Sequence, residues 1–241
     1  MRKRADIVLV ERGFFSSRAR AHAAIAAGLV SVGGMTLRKP SDEVAEDAVI
    51  EASAPHPYAS RGGVKLAAAL DAFGLDPAGL ACLDIGASTG GFTDVLLQRG
   101  AKSVVSVDVG HGQLDLRLAA DPRVRSLEGL DARALTLALI SEAPGAIVCD
   151  VSFISQRLVL PHVLTLAAEP AWLVSLVKPQ FEGGKAEIVK GRVRSEAALA
   201  RACDEVGACV AGLGWTLLGV IPSPLLGGGG AKEFLLAARH G

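Results

Sequence analysis

Short apolar runs alternate regularly with helical stretches from about residue 58 onward, and this alternation limits the fold more than any other property of the chain. It is typical of a mostly parallel sheet with helices on both faces. The predicted strands are 81–85, 103–107, 124–127, 146–149, 173–177, 216–221 and 234–238. The last two are joined without room for a crossover helix, so we expect an antiparallel hairpin there. The predicted fold class is therefore α/β, with a seven-stranded, mostly parallel sheet whose last strand is antiparallel.

The first fifty residues follow a different pattern, which predicts a small α+β domain. Ser16 or Ser17 can cap a second helix, and Gly28 can end it. The predicted elements are helices at 5–12 and 17–27, a hairpin of 29–32 and 35–37 about a Gly33-Gly34 turn, and a strand near 49–50. Prolines at 55 and 57 mark a linker. We expect domains at 1–52 and 60–241, joined by a linker at 53–59.

Charge is unevenly distributed along a chain that is neutral overall, with 25 basic and 25 acidic residues. Residues 1–39 contain eight Lys or Arg against two acids, which gives this segment a net charge of +6. A basic N-terminal segment in front of an acidic remainder of the chain favours a polyanionic partner such as a nucleic acid. An ordinary solvated helix face is the alternative explanation for the same charges.

Two classes of protein are disfavoured by the sequence. The apolar runs are shorter than the roughly 20 residues that cross a bilayer, and the run after the basic N-terminus is too short for a signal peptide. We therefore expect a cytoplasmic protein without a membrane partner. The four cysteines show neither CxxC spacing nor nearby histidines suited to zinc, so we expect no metal and no disulfide framework.

A glycine-rich loop at 84–93 follows the first predicted strand of the sheet and opens a helix. Its glycines let the backbone approach a ligand, and the helix N-terminus supplies free N–H donors. Asp108 ends the next strand, 24 positions after Asp84, where an acid can accept hydrogen bonds from a ribose diol. The loop lacks the G-x-G-x-x-G spacing that cradles a pyrophosphate, which favours a sulfonium cofactor with an adenosine group over NAD. A loop whose glycines only allow tight packing is the alternative.

Four charged residues lie at the edge or entrance of the predicted sheet, where ligands of open α/β sheets bind. Asp150 and Lys178 each follow a strand, Glu233 begins the last strand, and Lys65 lies on the helix leading into the sheet. Carboxylates would keep such a lysine charged, whereas burial would make it a neutral base. Either state can assist a ribose hydroxyl that attacks a methyl sulfonium, a reaction that depends on positioning. For each residue taken alone, a surface salt bridge is the alternative.

Several longer motifs carry a family resemblance. They are LVERGFFSSRARA, IAAGLVSVGG, YASRGGVKL, LDIGASTGGFTDVLLQRGA, VDVGHGQL, CDVSFIS, LVKPQFE and EFLL. Over essentially its whole length the chain resembles the hemolysin A (TlyA) family of ribosomal RNA 2′-O-methyltransferases. Its first domain is similar to the RNA-binding module of ribosomal protein S-four, and its second to the FtsJ-type methyltransferase domain. The resemblance implies a Rossmann-like methyltransferase fold, S-adenosyl-L-methionine as cofactor, ribosomal RNA or ribosomal subunits as partner, and a cytidine of large-subunit RNA as target.

The resemblance also implies roles for individual residues. The family's Lys-Asp-Lys-Glu tetrad falls on Lys65, Asp150, Lys178 and Glu233. The implied cofactor contacts are Asp84, Gly86, Ala87, Ser88, Thr89, Gly90, Gly91, Phe92, Thr93, Asp108, Val109 and Asp131. The implied RNA contacts are Arg4, Arg18, Arg20, Arg38, Lys39 and Arg61. The chain departs from the family pattern at Gly33, His111, Asp131, Ala231 and Lys232.

Three other functions account for parts of this pattern. A ribosome-assembly or RNA-binding factor would keep cofactor binding without turnover, although the complete tetrad speaks against it. An enzyme that methylates a small molecule or a protein would have no use for the basic first domain. Pore formation, which only the family name suggests, would require amphipathic membrane segments that we do not find in the sequence.

Overall fold

The computed structural model describes residues 2–15, 17–54, 56–183, 188–189 and 191–241. The chain divides into two units, Met1–Ser60 and Arg61–Gly241. Ser16 and Pro55, which belong to the predicted helix cap and linker, lie outside the described residues. The linker at 53–59 and the domain limits on either side of it stay predictions.

The first unit combines two helices with two small antiparallel sheets. In chain order its elements are β1 (Arg2–Arg4), α1 (Ala5–Glu11), α2 (Arg18–Ala26), β2 (Val30–Val32), β3 (Met35–Thr36), β4 (Glu43–Ala45) and β5 (Ile50–Ala52). β1 pairs with β4, and β2 lies between β3 and β5. Both predicted helices and the predicted hairpin are confirmed. The sequence did not predict β1 and β4, because these short strands lack a turn motif such as the Gly33-Gly34 pair that located β2 and β3.

A small apolar core holds this unit together. Val8 and Leu9 of α1, Ile25 of α2 and Val30 of β2 are buried against one another. Ser17 caps α2, because its Oγ accepts a hydrogen bond from the backbone N–H of Arg20 at 3.4 Å. The packing of α1 against α2 fixes Arg18, Arg20 and His22 of α2 relative to Asp6 of α1.

The second unit is built around one large sheet covered by helices, with a separate two-stranded hairpin beside it. In chain order its elements are α3 (Arg61–Phe73), β6 (Ala81–Ile85), α4 (Gly91–Gln98), β7 (Ser103–Asp108), α5 (Leu116–Ala119), β8 (Val124–Glu128), α6 (Leu137–Ile140), β9 (Ala146–Cys149), α7 (Leu160–Val163), β10 (Ala171–Val177), α8 (Pro179–Glu182), β11 (Ile188–Val189), β12 (Arg192–Val193), α9 (Glu196–Gly212), β13 (Thr216–Pro222) and β14 (Phe234–His240). The small β11–β12 hairpin was not predicted.

The sheet has seven strands in the order β13-β14-β10-β9-β6-β7-β8. All neighbouring pairs are parallel except those of β14, which runs antiparallel to β10 and to β13. This arrangement confirms the predicted fold class, including the antiparallel last strand. The central strands β9 and β10 are buried along their whole length, as expected for strands covered on both faces.

No helix within the described ranges combines the length and the apolar character needed to cross a membrane. All four cysteines are free. In the same ranges, no group of three or more His, Cys, Asp or Glu side chains is arranged to hold a metal ion.

Candidate active site

The sheet topology brings three of the four tetrad residues to one edge. Asp150 follows β9 and Lys178 follows β10, so both lie at the carboxyl ends of parallel neighbours. Because β14 is antiparallel, its first residue, Phe234, pairs with Val177 at the end of β10. Glu233 therefore lies at the same edge, although it precedes its strand.

The four side chains form two ion pairs. Lys65 Nζ lies 2.5 Å from Glu233 Oε2, and Lys178 Nζ lies 2.6 Å from Asp150 Oδ1. Lys178 also donates a hydrogen bond to Ser152 Oγ at 2.7 Å. The predicted grouping of the tetrad is thus present in the structure, even though Lys65 and Glu233 are 168 positions apart.

Both ion pairs are largely removed from water. Lys65 and Lys178 are each 8% exposed and Glu233 is 5% exposed. Burial raises the pKa of the Asp150 carboxyl, and the positive charges of Lys178 and Lys65 oppose that rise. Buried ion pairs are weak stabilising elements, because desolvation offsets most of their attraction. Two such pairs at a ligand-binding edge are better explained by function than by stability.

A cleft with a volume of about 440 Å³ lies beside the tetrad at the carboxyl ends of β6, β7 and β9. Of the predicted cofactor residues, it is lined by Gly86, Ser88, Asp108, Val109 and Asp131. Asp150 also lines the cleft, which links it to the tetrad. The other predicted cofactor residues are not among the lining residues; they are Asp84, Ala87, Thr89, Gly90, Gly91, Phe92 and Thr93.

Asp108 is the acid best placed to bind a ligand in the cleft. One of its oxygens accepts the Ser88 backbone N–H at 2.8 Å, and the other accepts the Gly110 N–H at 2.7 Å. These bonds fix the carboxylate at the end of β7, and each oxygen keeps a lone pair for a further donor. The arrangement fits a ribose diol.

Gly86 allows the floor of the cleft to close tightly. Its φ is +81°, and a Cβ at this position would lie 2.7 Å from the backbone oxygen of Asp150. Any larger residue would therefore force β6 and β9 apart at their carboxyl ends. This geometry is the tight packing that was the alternative explanation for the loop glycines; the approach of the backbone to a ligand stays a prediction.

Asp84 is completely buried behind the loop. Its Oδ2 accepts a hydrogen bond from Thr93 Oγ1 at 2.6 Å, whereas its Oδ1 has no hydrogen-bond partner among the described residues. Burial raises the pKa of the Asp84 carboxyl to about 7; the Thr93 bond opposes the rise, and the charges of Asp150 and Asp108 add to it. Asp150 and Asp108, the two acids that act on Asp84, line the cleft, and their negative charge makes it a suitable site for a positively charged ligand.

The raised pKa of Asp84 predicts a specific pH dependence of stability. Folding favours the protonated carboxyl, so this stabilisation is complete below pH 4 and is lost as the pH rises to about 7. Asp84→Asn cannot ionise, and we expect it to gain about 3 kcal/mol of unfolding free energy relative to wild type between pH 5 and pH 8. Urea unfolding followed by the fluorescence of Trp172 and Trp215, both buried in the second unit, measures the difference.

The control is Glu142→Gln, which changes an exposed acid paired with Lys102. Its stability should run parallel to that of wild type over the same pH range. A constant difference between Asp84→Asn and wild type would show that the Asp84 carboxyl is ionised throughout.

Asp131 is a predicted contact for the adenine end of the cofactor, but its carboxylate forms an ion pair with a neighbouring arginine. Its Oδ2 lies 2.6 Å from Arg133 Nη2, and this pairing lowers the pKa of Asp131 to about 2. The residue lines the cleft, but its carboxylate has less capacity for a ligand than that of Asp108.

The structure adds residues that sequence reasoning missed. Gln113 lines the cleft and accepts a hydrogen bond from Ser88 Oγ at 3.1 Å. Glu128, at the end of β8, accepts the backbone N–H groups of 112, 113 and 114 and so holds the loop that carries Gln113. Glu128 could have been found in the sequence, because it is an acid directly after the predicted strand 124–127.

Phe153 was also missed as a site residue. It lines the cleft and is 91% exposed, with a φ of +66° that non-glycine residues rarely adopt. Its ring centroid lies 5.0 Å from that of Phe181. An exposed aromatic ring held at the cleft offers a stacking surface for a nucleobase. Phe153 could have been considered from the sequence, because it lies in the motif CDVSFIS directly after the predicted strand 146–149.

Ala231 and Lys232, which depart from the family pattern, do not prevent Glu233 from reaching Lys65. Ala231 is buried, and Lys232 forms an exposed ion pair with Glu196 at 2.5 Å. Glu233 packs against Gly227, where a Cβ would collide with its carboxylate. The glycine run therefore provides the space that the Glu233 side chain occupies.

The predicted RNA contacts fall in both units. Arg4 ends β1, Arg18 begins α2, and both contact Asp6. Arg20 lies on α2, and Arg61 is the first residue of α3 in the second unit. Arg38 and Lys39 line a shallow groove in the first unit, where their backbone N–H groups donate to Asp42.

Comparison with known proteins agrees with this geometry. Residues 58–240 match the model of the FtsJ-like methyltransferase family, and residues 3–50 match the S4 domain. The 16S/23S rRNA (cytidine-2′-O)-methyltransferase TlyA of Mycobacterium tuberculosis is 44% identical, over 99% of this chain and 90% of its own length. The 23S rRNA (cytidine-2′-O)-methyltransferase TlyA of Campylobacter jejuni is 35% identical, over 73% of this chain and 69% of its own length.

Solved structures give the same result. The structure named "Putative hemolysin" from Streptococcus thermophilus has a TM-score of 0.79 and is 37% identical, with coverage of 99% of this chain and 88% of that one. Two domain families in this order, together with relatives aligned over nearly the full length, leave one assignment. The chain belongs to the hemolysin A (TlyA) family of FtsJ-like methyltransferases, which carry an S4 domain in front of the catalytic domain.

Proposed function

We propose that this protein transfers a methyl group from S-adenosyl-L-methionine to a ribose 2′-hydroxyl of ribosomal RNA. The observation that carries the proposal is the pair of buried ion pairs, Lys65–Glu233 and Lys178–Asp150, beside a cleft built around Asp108. The names of the relatives support a cytidine of ribosomal RNA as the target, and the large subunit is the proposed source of that RNA. A ribosomal substrate implies that the protein acts in the cytoplasm.

The residues of the cleft suit this cofactor. Asp108 would accept the ribose hydroxyls, and Val109 and Asp131 line the part of the cleft next to it. Asp108 and Asp150 both line the cleft, and their negative charge suits a ligand that carries positive charge. When bound, S-adenosyl-L-methionine supplies the methyl carbon that the hydroxyl oxygen attacks.

The tetrad would position the hydroxyl and stabilise its developing negative charge. The Lys178 ammonium is held by Asp150 and Ser152, so its remaining N–H donor can be aimed at the 2′-oxygen without reorganisation during the reaction. Methyl transfer would also require the 2′-hydroxyl to give up its proton, and the Asp150 carboxylate, which lines the cleft and whose pKa is raised by burial, would accept it. Lys65 and Glu233 maintain the charge balance around Asp150 and Lys178.

The RNA would be delivered by the basic first domain. A stacked nucleotide cannot present its ribose to a cleft, so we expect the target nucleotide to be flipped out of its helix. Phe153 would then offer a stacking surface for the base. Arg4, Arg18, Arg20, Arg38, Lys39 and Arg61 are the proposed phosphate contacts.

The direct test uses S-adenosyl-L-methionine labelled with tritium in its methyl group. The purified protein is incubated with separated ribosomal subunits, whole ribosomes and naked ribosomal RNA. We expect label in the RNA that survives alkaline hydrolysis as a dinucleotide, because a 2′-O-methyl group blocks cleavage of the adjacent phosphodiester. Absence of label on every RNA, with cofactor binding intact, would instead support a ribosome-assembly factor that does not turn over.

A further inference from the structure

The first unit contains a buried carboxylate surrounded by three basic side chains. Asp6, in the first turn of α1, is fully buried. Its Oδ1 accepts the Nε–H of Arg4 at 3.0 Å. Its Oδ2 lies 3.1 Å from Arg4 Nη2, 2.7 Å from Arg18 Nη2 and 2.7 Å from His22 Nε2. The basic groups come from β1 and α2, so this one carboxylate joins three elements.

The three basic side chains are exposed although the acid between them is not. The side chains of Arg4, Arg18 and His22 have exposed fractions of 45%, 56% and 45%. Each arginine uses its Nε and Nη2 atoms on Asp6, which leaves Nη1 and one N–H of Nη2 for another partner. The unused donors lie on the side of each guanidinium that faces away from the buried acid.

The cluster contains more positive charge than the buried acid needs. One arginine would neutralise Asp6, but two are bound to it, and the Arg4 contact already holds the pKa of the Asp6 carboxyl well below its usual range. The second guanidinium therefore leaves a net positive charge at the surface. Because both long side chains are ordered on folding, a later partner would not bear the entropy cost of ordering them.

We propose that Asp6 is a positioning residue that fixes Arg4 and Arg18, with His22 beside them, as one binding site for RNA phosphate. The two guanidinium groups share a single carboxylate, so their free edges lie close enough to engage one phosphate or two successive phosphates of a backbone. Planar guanidinium groups recognise phosphate through paired N–H donors. This inference rests on the proposed function, because it takes ribosomal RNA as the partner of the first unit.

A charge-matched pair of variants separates positioning from simple electrostatics. Asp6→Asn and Asp47→Asn each remove one negative charge from the first unit, and Asp47 is exposed. General electrostatics predicts tighter RNA binding for both variants. Positioning predicts that Asp6→Asn weakens binding at least fivefold, whereas Asp47→Asn leaves it unchanged or slightly stronger.

The measurement is filter binding of the full-length protein to naked large-subunit ribosomal RNA at several salt concentrations. Turnover provides a second readout: with Asp6→Asn, KM for the RNA should rise at least fivefold while kcat stays within twofold of wild type. Proton NMR of the methyl resonances confirms that the first unit is folded. Asp6→Asn that is folded and binds as tightly as wild type, or more tightly, would overturn the inference.

A second variant decides the matter if Asp6→Asn does not fold. Arg4→Lys combined with Arg18→Lys keeps both charges but removes the bidentate donors, and both positions are half exposed. We expect at least fivefold weaker binding, and wild-type affinity would overturn the inference. Failure of the wild-type protein to bind ribosomal RNA at all would instead count against the proposed function.

Discussion

Lys178→Ala should lower kcat for RNA methylation by roughly 10³-fold, about 4 kcal/mol of transition-state stabilisation. The expected loss is large because Lys178 is the buried ammonium that Asp150 and Ser152 hold at the cleft, and alanine offers no donor to the reacting oxygen. RNA binding and cofactor binding should stay within about threefold of wild type, since neither depends on this side chain in the proposed mechanism. Single-turnover methylation with saturating cofactor and RNA measures the effect on the chemical step.

The matched control for this prediction is Lys232→Ala. Lys232 precedes Glu233 in the chain, but its ammonium is exposed and paired with Glu196, outside the tetrad. It removes the same charge from the same region of the protein, so we expect a turnover rate within twofold of wild type. A Lys178→Ala enzyme that kept a tenth or more of the wild-type kcat would remove Lys178 from the mechanism.

Asp108→Ala should weaken the binding of S-adenosyl-L-methionine by about 100-fold, or about 2.7 kcal/mol. Two losses add in this variant: the acceptors for the ribose hydroxyls, and the bonds that hold the backbone of Ser88 and Gly110 around the cleft. Asp108→Asn keeps one acceptor oxygen and should therefore lose less cofactor affinity than Asp108→Ala. Isothermal titration calorimetry measures the cofactor affinity of wild type, Asp108→Ala and Asp108→Asn.

Asp131→Ala and Asp121→Ala serve as comparisons for Asp108. The Asp131 carboxylate is bound by Arg133, so we expect less than a fivefold loss of cofactor affinity. Asp121 pairs with Arg123 and is not among the lining residues of the cleft, so its replacement should have no effect. Equal losses in the Asp108 and Asp131 variants would show that the carboxylates act only through their charge.

The local chemistry of the cofactor loop could be predicted from the sequence. A strand pattern, a glycine-rich turn and a helix start are all encoded by neighbouring residues, and the acid at Asp108 is found by counting to the end of the next strand. The structure places Gly86 and Asp108 at the cleft, whereas their contact with a cofactor stays a prediction. It places Asp84 in the interior instead, because whether a strand residue faces the cleft or the core depends on the layers packed on both faces of the sheet.

Four properties could be predicted from the order of the amino acids alone: the alternation of strands and helices, the antiparallel last strand, the basic first domain and the four residues of the predicted tetrad. Those properties follow from periodicity, charge and motif, which are local or additive along the chain. Three others became visible in the folded molecule: Lys65 pairs with Glu233 across 168 positions, Asp6 is buried beneath Arg4 and Arg18, and the glycine run makes room for Glu233. Ion pairing and burial depend on which residues the folded backbone brings together, and no spacing along the chain encodes that distance.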